Sequence, residues 1–318
     1  MGRILVTGGT GFLGSHMCRY LASQGDEVVA TFTGSRPRPV DARADGIEYR
    51  PLEITDRAMV TRLVEETKPD VVYHFAGQAF VIQSWADPLN TFAVNLTGTL
   101  HLLEALRYTR PRTRLAFAGS GTEYGEPDQI PTPEESPLRP TSPYAASKAA
   151  ADLLCYQYFR SFGIPVFRFR IFGTTGPGKR GDSTNDFASQ IVACERAPPP
   201  HVIRVGNLDK RRDVADVRDA VRAMITAVEK GQPGEAYNIA SGEAKMVREI
   251  LNTLCSMAKS PITVDTDPAK LRLVDEPVHL ADVSKLRALG WTPQVPFRQT
   301  LSDILESWRS VGPAPGAP

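Results

Sequence analysis

Cysteine is scarce in this sequence, with four residues among 318. Cys18, Cys155, Cys194 and Cys255 lie far apart, and none of them has the spacing of a metal-binding motif. The sequence therefore predicts no metal site. Isolated thiols within helical patterns are ordinary in a reducing compartment, so we expect a protein of the reducing cytosol.

A charge excess of either sign and a long apolar run are also absent. The 37 basic and 36 acidic residues give a net charge of +1, which disfavours binding to a nucleic acid or an anionic membrane. No apolar run approaches membrane-spanning length, and a strand pattern that begins at Arg3 leaves no room for a signal peptide. We therefore expect a cytoplasmic protein with a small anionic substrate.

What is present begins with a glycine turn between a predicted strand and a predicted helix. Residues 3–7 form an apolar strand pattern, and three glycines follow it at intervals of three. Glycines let the backbone turn tightly and approach a pyrophosphate, while the start of the helix presents unpaired N–H groups. The pattern predicts a dinucleotide bound by Gly8, Gly11, Phe12, Leu13 and Gly14.

A second motif lies in residues 142–148, at the start of a predicted helix. Ser142 suits the N-cap and Pro143 suits the first helical position. Tyr144 and Lys148 are four positions apart, so both lie on one helical face. Because a nearby ammonium stabilises a phenolate, we expect Lys148 to lower the pKa of Tyr144 and to let it transfer a proton near neutral pH.

Strand and helix patterns alternate along the first half of the chain, which predicts a parallel sheet with right-handed crossovers. We therefore predict an α/β protein with a Rossmann-type doubly wound parallel sheet and a smaller mixed α/β C-terminal domain that binds substrate. The dinucleotide-binding domain is predicted to cover residues 1–172, with residues 213–240 returning to it. Residues 173–212 and 241–308 form the predicted substrate domain, and residues 309–318 a disordered tail.

Further motifs stand in a characteristic order at residues 74–77, 95–99, 119–125 and 212–213, besides the glycine turn and the Tyr144/Lys148 pair. Together they resemble those of the extended short-chain dehydrogenases/reductases that act on nucleotide-activated sugars. The resemblance extends over residues 3–308. Within that family the chain looks most like the group of GDP-mannose 4,6-dehydratases and GDP-4-keto-6-deoxymannose reductases, which implies that its second domain binds a nucleotide sugar.

The resemblance implies a catalytic triad of serine, tyrosine and lysine. Ser120 would hydrogen-bond the sugar oxygen that undergoes redox change, Tyr144 would transfer its proton, and Lys148 would hold the nicotinamide ribose. The implied cofactor-binding residues beyond the glycine turn are Glu53, Ile54, Phe75, Ala76, Gly77, Asn95, Tyr144 and Lys148. The implied substrate-binding residues are Gln78, Phe80, Ser120, Gly121, Thr122, Arg212, Arg272 and Asp275.

The type of cofactor depends on the end of the second predicted strand, where NAD-binding relatives place an acid. Residues 30–36 contain no acid, and Ser35 and Arg36 are suited to a 2′-phosphate. The sequence therefore predicts NADP, with NAD as the alternative. Glu53 stands where the family usually has an aspartate beside the adenine, which is a departure from the pattern.

A departure at Thr122 bears on the reaction. The sugar dehydratases of the family carry a glutamate two positions before the tyrosine that is Tyr124 here, and it removes a proton during loss of water. A threonine hydroxyl is too weak a base for that step. The neighbouring Glu123 is expected to point away if the segment is extended, because side chains alternate along a strand.

The sequence thus predicts an NADPH-dependent reductase of a nucleotide-diphosphate 4-keto-6-deoxy sugar in deoxysugar biosynthesis, with GDP-4-keto-6-deoxymannose as the favoured substrate. The resemblance further implies a homodimer formed through the helices at residues 92–108 and 143–162. Two alternatives stay open. One is a nucleotide-sugar 4,6-dehydratase or epimerase with tightly bound NAD(P), and the other is a non-catalytic regulator that binds a dinucleotide.

Overall fold

The computed structural model describes residues 2–34, 46–270 and 277–311. Its strands are β1 (Arg3–Thr7), β2 (Glu27–Phe32), β3 (Glu48–Pro51), β4 (Val71–His74), β5 (Arg114–Ala118), β6 (Val166–Ile171), β7 (Gly173–Thr175), β8 (Val202–Val205), β9 (Arg211–Asp216), β10 (Ala236–Ile239), β11 (Ala244–Met246), β12 (Thr263–Thr266) and β13 (Val278–His279). Its α-helices are α1 (Phe12–Ser23), α2 (Arg57–Thr67), α3 (Val81–Ala86), α4 (Pro88–Phe92), α5 (Gly98–Thr109), α6 (Pro143–Phe162), α7 (Ser183–Arg196), α8 (Val217–Lys230), α9 (Val247–Ser256), α10 (Ser284–Ala288) and α11 (Phe297–Ser310). A π-helical turn, Ala93–Thr97, joins α4 to α5, and 3₁₀ turns cover Gly121–Tyr124 and Pro268–Lys270.

The central sheet has the strand order β10-β6-β5-β4-β1-β2-β3, and every neighbouring pair in it is parallel. Leu5 pairs with Val29 on one side and with Val72 on the other, so the register places apolar residues side by side. All four residues of β4 are buried, as expected when helices cover both faces of a parallel sheet. This architecture confirms the predicted Rossmann-type fold, whose ligands bind at the carboxyl ends of the strands.

The described residues divide into two compact units. The first comprises those within Met1–Ile171, Val221–Ile239 and Asp282–Trp291, and it contains the central sheet. The second comprises those within Phe172–Ala220, Ala240–Ala281 and Thr292–Pro318. Its strand β9 pairs with β7, β11 and β13, and the separate strands β8 and β12 pair with each other.

Each unit has its own apolar core. In the first unit, Leu5, Val72 and Leu115 from the sheet are buried against Leu103 and Leu106 of α5. In the second unit, α7, α9 and α11 bury their apolar faces together with β8. The residues that meet there include Phe187, Ile191, Ile203, Ile250, Leu251, Leu254, Leu301 and Ile304. Two separate cores therefore stabilise the two units.

Local sequence signals fix the helix that carries the Tyr144/Lys148 pair. Ser142 is the N-cap of α6 and its side chain accepts a hydrogen bond from the Ala145 N–H at 3.2 Å. Pro143 is the first helical residue, and the helix ends at Gly163, whose φ of 68° is left-handed. These observations confirm the predicted start of the helix.

Some boundaries differ from those read in the sequence. Residues 213–220 belong to the second unit, because β9 pairs with three strands of that unit. Residues 282–291 belong to the first unit, because α10 packs against β10. Arg309 and Ser310, predicted to lie in a disordered tail, close α11, and the Arg309 guanidinium pairs with Glu195 at 2.5 Å. The predicted tail from residue 312 onward lies outside the described residues.

Within the described ranges, none of the helices combines the length and the apolar character needed to cross a bilayer.

Candidate active site

The glycine turn lies between β1 and α1 and packs closely against its neighbours. Gly8 has a φ of 67°, and a Cβ at that position would lie 2.8 Å from the Ala76 backbone nitrogen. A Cβ at Gly14 would lie 2.2 Å from the Gly8 carbonyl oxygen. Gly11 is the N-cap of α1, with Phe12 and Leu13 as the first helical residues, and it makes no side-chain cap hydrogen bond. A tight glycine turn at the start of a helix suits a pyrophosphate.

Ser120 follows the carboxyl end of β5 as the N-cap of the turn Gly121–Tyr124. Its Oγ lies 2.9 Å from the Thr122 Oγ1 and accepts a hydrogen bond from the Thr122 N–H at 3.3 Å. Ser120 is only 6% exposed, and Gly121 is buried. The hydroxyls of Ser120 and Thr122 therefore form a small polar group at the end of a central strand.

The structure brings Tyr144 and Lys148 to the same strand end. The Ser120 side chain lies beside the Tyr144 phenol and favours its ionised form. The Lys148 Nζ donates to the Ala118 carbonyl at 2.8 Å. The three predicted catalytic residues thus converge, although 28 positions separate Ser120 from Lys148 in the chain.

The pKa of Tyr144 differs from the one predicted from the sequence. Burial raises the pKa of Tyr144 to about 12, although the neighbouring Ser120 side chain acts in the opposite direction. Burial also lowers the pKa of Lys148 to about 8, against the raising effect of the Glu123 charge. The expected lowering of the Tyr144 pKa by Lys148 is therefore wrong for this structure, because burial of the phenol dominates. Tyr144 is a protonated phenol at neutral pH.

The predicted cofactor residues Phe75, Ala76 and Gly77 form the segment that leaves β4. The Phe75 and Ala76 N–H groups donate to the Thr7 carbonyl and Thr7 Oγ1, at 3.1 and 3.2 Å. A Cβ at Gly77 would lie 3.0 Å from the Asn95 Oδ1 and 3.4 Å from the Lys148 Nζ. Gly77 therefore lies directly beside the lysine of the triad.

Asn95 lies in the π-helical turn and connects two parts of the site. Its Nδ2 donates to the Gln78 carbonyl at 3.1 Å and to the Ser147 Oγ at 2.9 Å, and its Oδ1 accepts from the Gln78 N–H at 2.8 Å. Ser147 immediately precedes Lys148 on α6. Asn95 therefore braces α6 against the segment after β4, and π-helical turns are frequent at functional sites.

His74, at the end of β4, is structural. Its Nδ1 lies 2.7 Å from the Thr7 Oγ1, and its Nε2 lies 3.1 Å from the Thr99 Oγ1. The Thr99 hydroxyl donates to the Asn95 carbonyl, so its oxygen accepts a hydrogen bond from the His74 Nε2–H. Burial lowers the pKa of His74 to about 3, with the Lys148 charge acting in the same direction. The ring is neutral and both of its nitrogens are bonded.

The other predicted binding residues that the structure describes in the first unit show no arrangement that clearly suits a ligand. The Gln78 Nε2 donates to the Phe80 carbonyl at 2.9 Å and to the Thr91 Oγ1 at 3.2 Å, so its amide stabilises its own loop. Phe80 is 40% exposed. Glu53 is exposed and accepts from the Thr55 hydroxyl at 3.0 Å, whereas Ile54 is buried against α5. Ser35, Arg36, Arg272 and Asp275 lie outside the described residues.

The segment that contains Glu123 was expected to be extended. Residues 121–124 instead form a 3₁₀ turn. The Glu123 carboxylate is fully buried and accepts the Ser120 backbone N–H at 2.6 Å. The Oε2 lies 3.8 Å from the Arg170 Nε. A bound substrate cannot reach this carboxylate, whereas Thr122 next to it is half-buried beside the Ser120 hydroxyl.

The second unit contains a cleft of about 640 Å³ that sequence reasoning identified only through Arg212. The side chains that line it include the cations Arg180, Lys210, Arg212 and Lys270, the carboxylates Asp182 and Asp186, and the aromatic rings of Phe187 and Trp308. The Lys270 Nζ pairs with the Asp186 Oδ2 at 2.8 Å. Clustered cations beside aromatic rings suit an anion that carries a flat apolar group.

Comparison with known proteins identifies the family. Residues 5–304 match the family model described as GDP-mannose 4,6 dehydratase. The chain belongs to this family. It is 32% identical over 312 residues to the GDP-6-deoxy-D-mannose reductase of Pseudomonas aeruginosa, and the match covers 97% of each chain.

Two solved structures are similar to this member of the GDP-mannose 4,6 dehydratase family. RMD from Pseudomonas aeruginosa, complexed with NADPH, has a TM-score of 0.83 at 29% identity, covering 98% of this chain and 99% of that one. The UDP-glucose 4-epimerase of Thermus thermophilus, in complex with NAD, has a TM-score of 0.86 at 31% identity, covering 98% of this chain and 100% of that one.

Membership in this family confirms the predicted resemblance and the predicted enzyme class, an oxidoreductase of the extended short-chain dehydrogenase/reductase type. The cofactors in the two solved neighbours agree with the prediction of NADP, with NAD as the alternative. The family model that matches this chain is named for a dehydratase, whereas the similar proteins described above are a reductase and an epimerase. Family membership alone therefore does not select the reaction.

Proposed function

We propose that this protein is a cytoplasmic NADPH-dependent reductase that converts the 4-keto group of a GDP-linked 4-keto-6-deoxy sugar to an alcohol. The observation that carries the proposal is the environment of Ser120. Its hydroxyl lies beside the Thr122 hydroxyl at 2.9 Å, and the only carboxylate of the turn, that of Glu123, is fully buried. The turn that carries Ser120 therefore has the groups for ketone reduction, and among its described residues none is a substrate-facing base for loss of water.

The residues of the first unit fit a dinucleotide. The backbone packs so closely at Gly8 and Gly14 that a Cβ at either position would clash, and α1 begins at Phe12 after a glycine N-cap, which suits an anion. Gly77 lies beside Lys148, so the ammonium is available to the hydroxyls of the nicotinamide ribose. When bound, NADPH supplies the hydride.

The chain itself supplies orientation and a proton. The Ser120 side chain lies beside the Tyr144 phenol, so both hydroxyls can donate to one carbonyl oxygen. Tyr144 is protonated at neutral pH, because burial raises its pKa to about 12. It is therefore prepared to donate its proton to the alkoxide that reduction produces. The Lys148 cation, held by the Ala118 carbonyl, stabilises the phenolate that remains.

The cleft in the second unit is proposed to hold the nucleotide. Its cations Lys210, Arg212 and Arg180 can pair with a diphosphate, and a guanidinium does so with two parallel hydrogen bonds. A guanine base would contact the aromatic rings of the same cleft. The preference for GDP is supported by the similarity to the Pseudomonas aeruginosa reductase.

The proposed enzyme is a homodimer formed through the face of α4, α5 and α6. Leu89 on α4 is 85% exposed, and Leu153 on α6 is 57% exposed. α4 packs against α6, so these apolar side chains belong to neighbouring helices. A second copy that covers this face would remove a large apolar area from water. Size-exclusion chromatography with light scattering is expected to give twice the monomer mass, and a monomeric mass would contradict this part of the proposal.

The reaction is tested with two substrates and two conditions. With GDP-4-keto-6-deoxymannose and NADPH, we expect the absorbance of NADPH at 340 nm to fall in step with product formation. With GDP-mannose and no added reductant, we expect no turnover. Conversion of GDP-mannose in that second reaction would identify a dehydratase or epimerase instead. NADPH binding without turnover of any nucleotide sugar would favour a dinucleotide-binding regulator.

A further inference from the structure

The Glu123 carboxylate supports the turn that carries Ser120. It is 0% exposed, and its Oε1 accepts the Ser120 N–H at 2.6 Å. The same oxygen lies so close to Gly119 that a Cβ there would be 2.5 Å away. Gly119 and Ser120, the two residues that precede the turn Gly121–Tyr124, thus lie directly against this oxygen. Any shift of the carboxylate would move the backbone of Ser120.

The second oxygen of Glu123 faces the strand next to the turn. Among the described residues, its Oε2 has no hydrogen-bond partner, and it lies 3.8 Å from the Arg170 Nε on β6. The Arg170 Nε lies 3.4 Å from the Asp152 Oδ2 on α6, and the Arg170 Nη1 donates to the Tyr124 hydroxyl at 3.1 Å. Asp152 is one helical turn after Lys148. The ion cluster of Glu123, Arg170 and Asp152 therefore joins the Ser120 turn, β6 and the helix that carries Tyr144 and Lys148.

Several ionisable groups surround the Glu123 carboxylate. Those on α6 are Tyr144, Lys148, Asp152 and Cys155, that on β6 is Arg170, and that on its own turn is Tyr124. Arg168 pairs with Asp152 at 2.5 Å and thereby balances the second carboxylate of the cluster. An ionised Glu123 would therefore act mainly on Arg170 and Lys148 as its cationic neighbours.

Burial moves the pKa values of Glu123 and Lys148 towards each other. Burial raises the pKa of Glu123 to about 8, with the Asp152 charge as the next cause and the Arg170 charge opposing it. Burial lowers the pKa of Lys148 to about 8, and the Glu123 charge raises it. As the pH rises through this range, Glu123 gains a negative charge where Lys148 would lose its positive charge. Ionisation of the glutamate therefore keeps the lysine protonated to higher pH.

We propose that Glu123 is a positioning residue of the reductase site, which fixes the Ser120 turn against β6 and, when ionised, supplies the negative charge that faces Lys148. The inference rests on the proposed function, because it assigns Glu123 a role through Ser120 and Lys148 rather than contact with the substrate. It also gives a reason for a carboxylate at a fully buried position, which is costly unless the group is paired.

Three variants separate the two parts of this role. Glu123→Gln keeps an oxygen that accepts the Ser120 N–H and removes the charge. Glu123→Leu removes both the acceptor and the charge. Glu126→Gln, at an exposed position two residues beyond the turn, is the matched control for loss of a carboxylate. For each protein, kcat and KM are measured from pH 6 to 10 with the 4-keto sugar, and the dissociation constant of NADPH is measured over the same range by fluorescence.

For Glu123→Gln we expect a kcat within about threefold of the wild type at pH 7 and an alkaline limb that lies about one pH unit lower, because Lys148 loses its proton more easily. The loss of NADPH affinity at high pH should shift in the same direction. For Glu123→Leu we expect kcat to fall about 100-fold at every pH, since a displaced Ser120 costs orientation. The control should match the wild type in all three measurements.

A pH profile of Glu123→Gln that superimposes on the wild type, in both kcat and NADPH affinity, would overturn the inference. A Glu123→Leu protein with wild-type kcat would overturn the role in fixing Ser120. A wild-type enzyme that binds NADPH but does not reduce the 4-keto sugar would refute the proposed function instead. In that case the NADPH titrations alone decide whether Glu123 acts on Lys148.

Discussion

Replacement of Tyr144 by phenylalanine tests the proposed proton donor with little change to the surroundings. The substitution removes one buried hydroxyl that lies beside the Ser120 side chain. The Ser120 Oγ keeps its contact with the Thr122 hydroxyl at 2.9 Å, and Lys148 keeps the Ala118 carbonyl at 2.8 Å. The rest of the triad should therefore stay in place, with a loss of stability of about 1 kcal/mol for the removal of one buried hydroxyl.

The expected loss of activity is much larger than this loss of stability. A positioned general acid contributes about 10²- to 10⁴-fold to a rate. Ser120 can still donate one hydrogen bond to the carbonyl oxygen, so the alkoxide would not be wholly unsupported. We therefore expect kcat to fall about 10³-fold, which corresponds to about 4 kcal/mol in the activation free energy. The affinity for NADPH should change less than about threefold, because the phenol is proposed to act on the sugar oxygen.

The assay measures NADPH oxidation at 340 nm in the steady state with saturating 4-keto sugar, and NADPH affinity is determined separately by fluorescence. Tyr156→Phe is the matched control, since it removes a hydroxyl from the same helix while its ring keeps the contact with the Arg168 guanidinium at 4.9 Å. That variant should retain wild-type kcat. A Tyr144→Phe enzyme with kcat within about threefold of the wild type would refute the proposed proton transfer.

Three further predictions concern the glycine turn, the cleft and the lysine. Gly14→Ala should weaken NADPH binding about 100-fold or more in a binding titration, because its Cβ would lie 2.2 Å from the Gly8 carbonyl oxygen; unchanged affinity would contradict the role of the glycine turn in binding the cofactor. Arg212→Met should raise KM for the GDP-sugar about tenfold and leave the NADPH dissociation constant unchanged, since it removes a cation from the cleft alone. Wild-type kcat should fall on the alkaline side, because the Lys148 cation is present below its lowered pKa of about 8 and is lost above it. A rate that stays constant from pH 7 to 10 would exclude a need for that cation.

The parts of the site that could be predicted from the sequence are those with local signals. The glycine turn follows a strand directly, and Ser142 with Pro143 marks the start of α6. The interval between Tyr144 and Lys148 places both on one helical face. These features depend on neighbouring residues, so no knowledge of the tertiary structure was needed to find them.

The surroundings of Glu123 could not be predicted in the same way. The neighbouring charges Arg170 and Asp152 lie on β6 and α6, and the sequence does not indicate that these side chains come together with Glu123. One local signal was present, because a serine followed three residues later by a glutamate is the pattern of a capping box. Ser120 and Glu123 form that box in the structure. The capping-box pattern of Ser120 and Glu123 therefore indicates a turn at residues 121–124, where an extended strand had been assumed.

The direction of the Tyr144 pKa shift also could not be predicted without the structure. The sequence indicated that a lysine one turn away would lower the pKa of Tyr144, whereas burial of the phenol raises it. Burial depends on the packing of α6 against the sheet and is not encoded in the interval between two residues. The protonated phenol that results suits a donor in reduction better than a base in oxidation.

The most direct test of the account follows the hydride itself. The enzyme is incubated with GDP-4-keto-6-deoxymannose and NADPH that carries deuterium at the transferable position of the nicotinamide, and the product is examined by NMR. We predict one deuterium bound to C4 of the deoxyhexose for each NADPH consumed. A product without deuterium at C4, or sugar conversion without consumption of NADPH, would contradict the reductase mechanism.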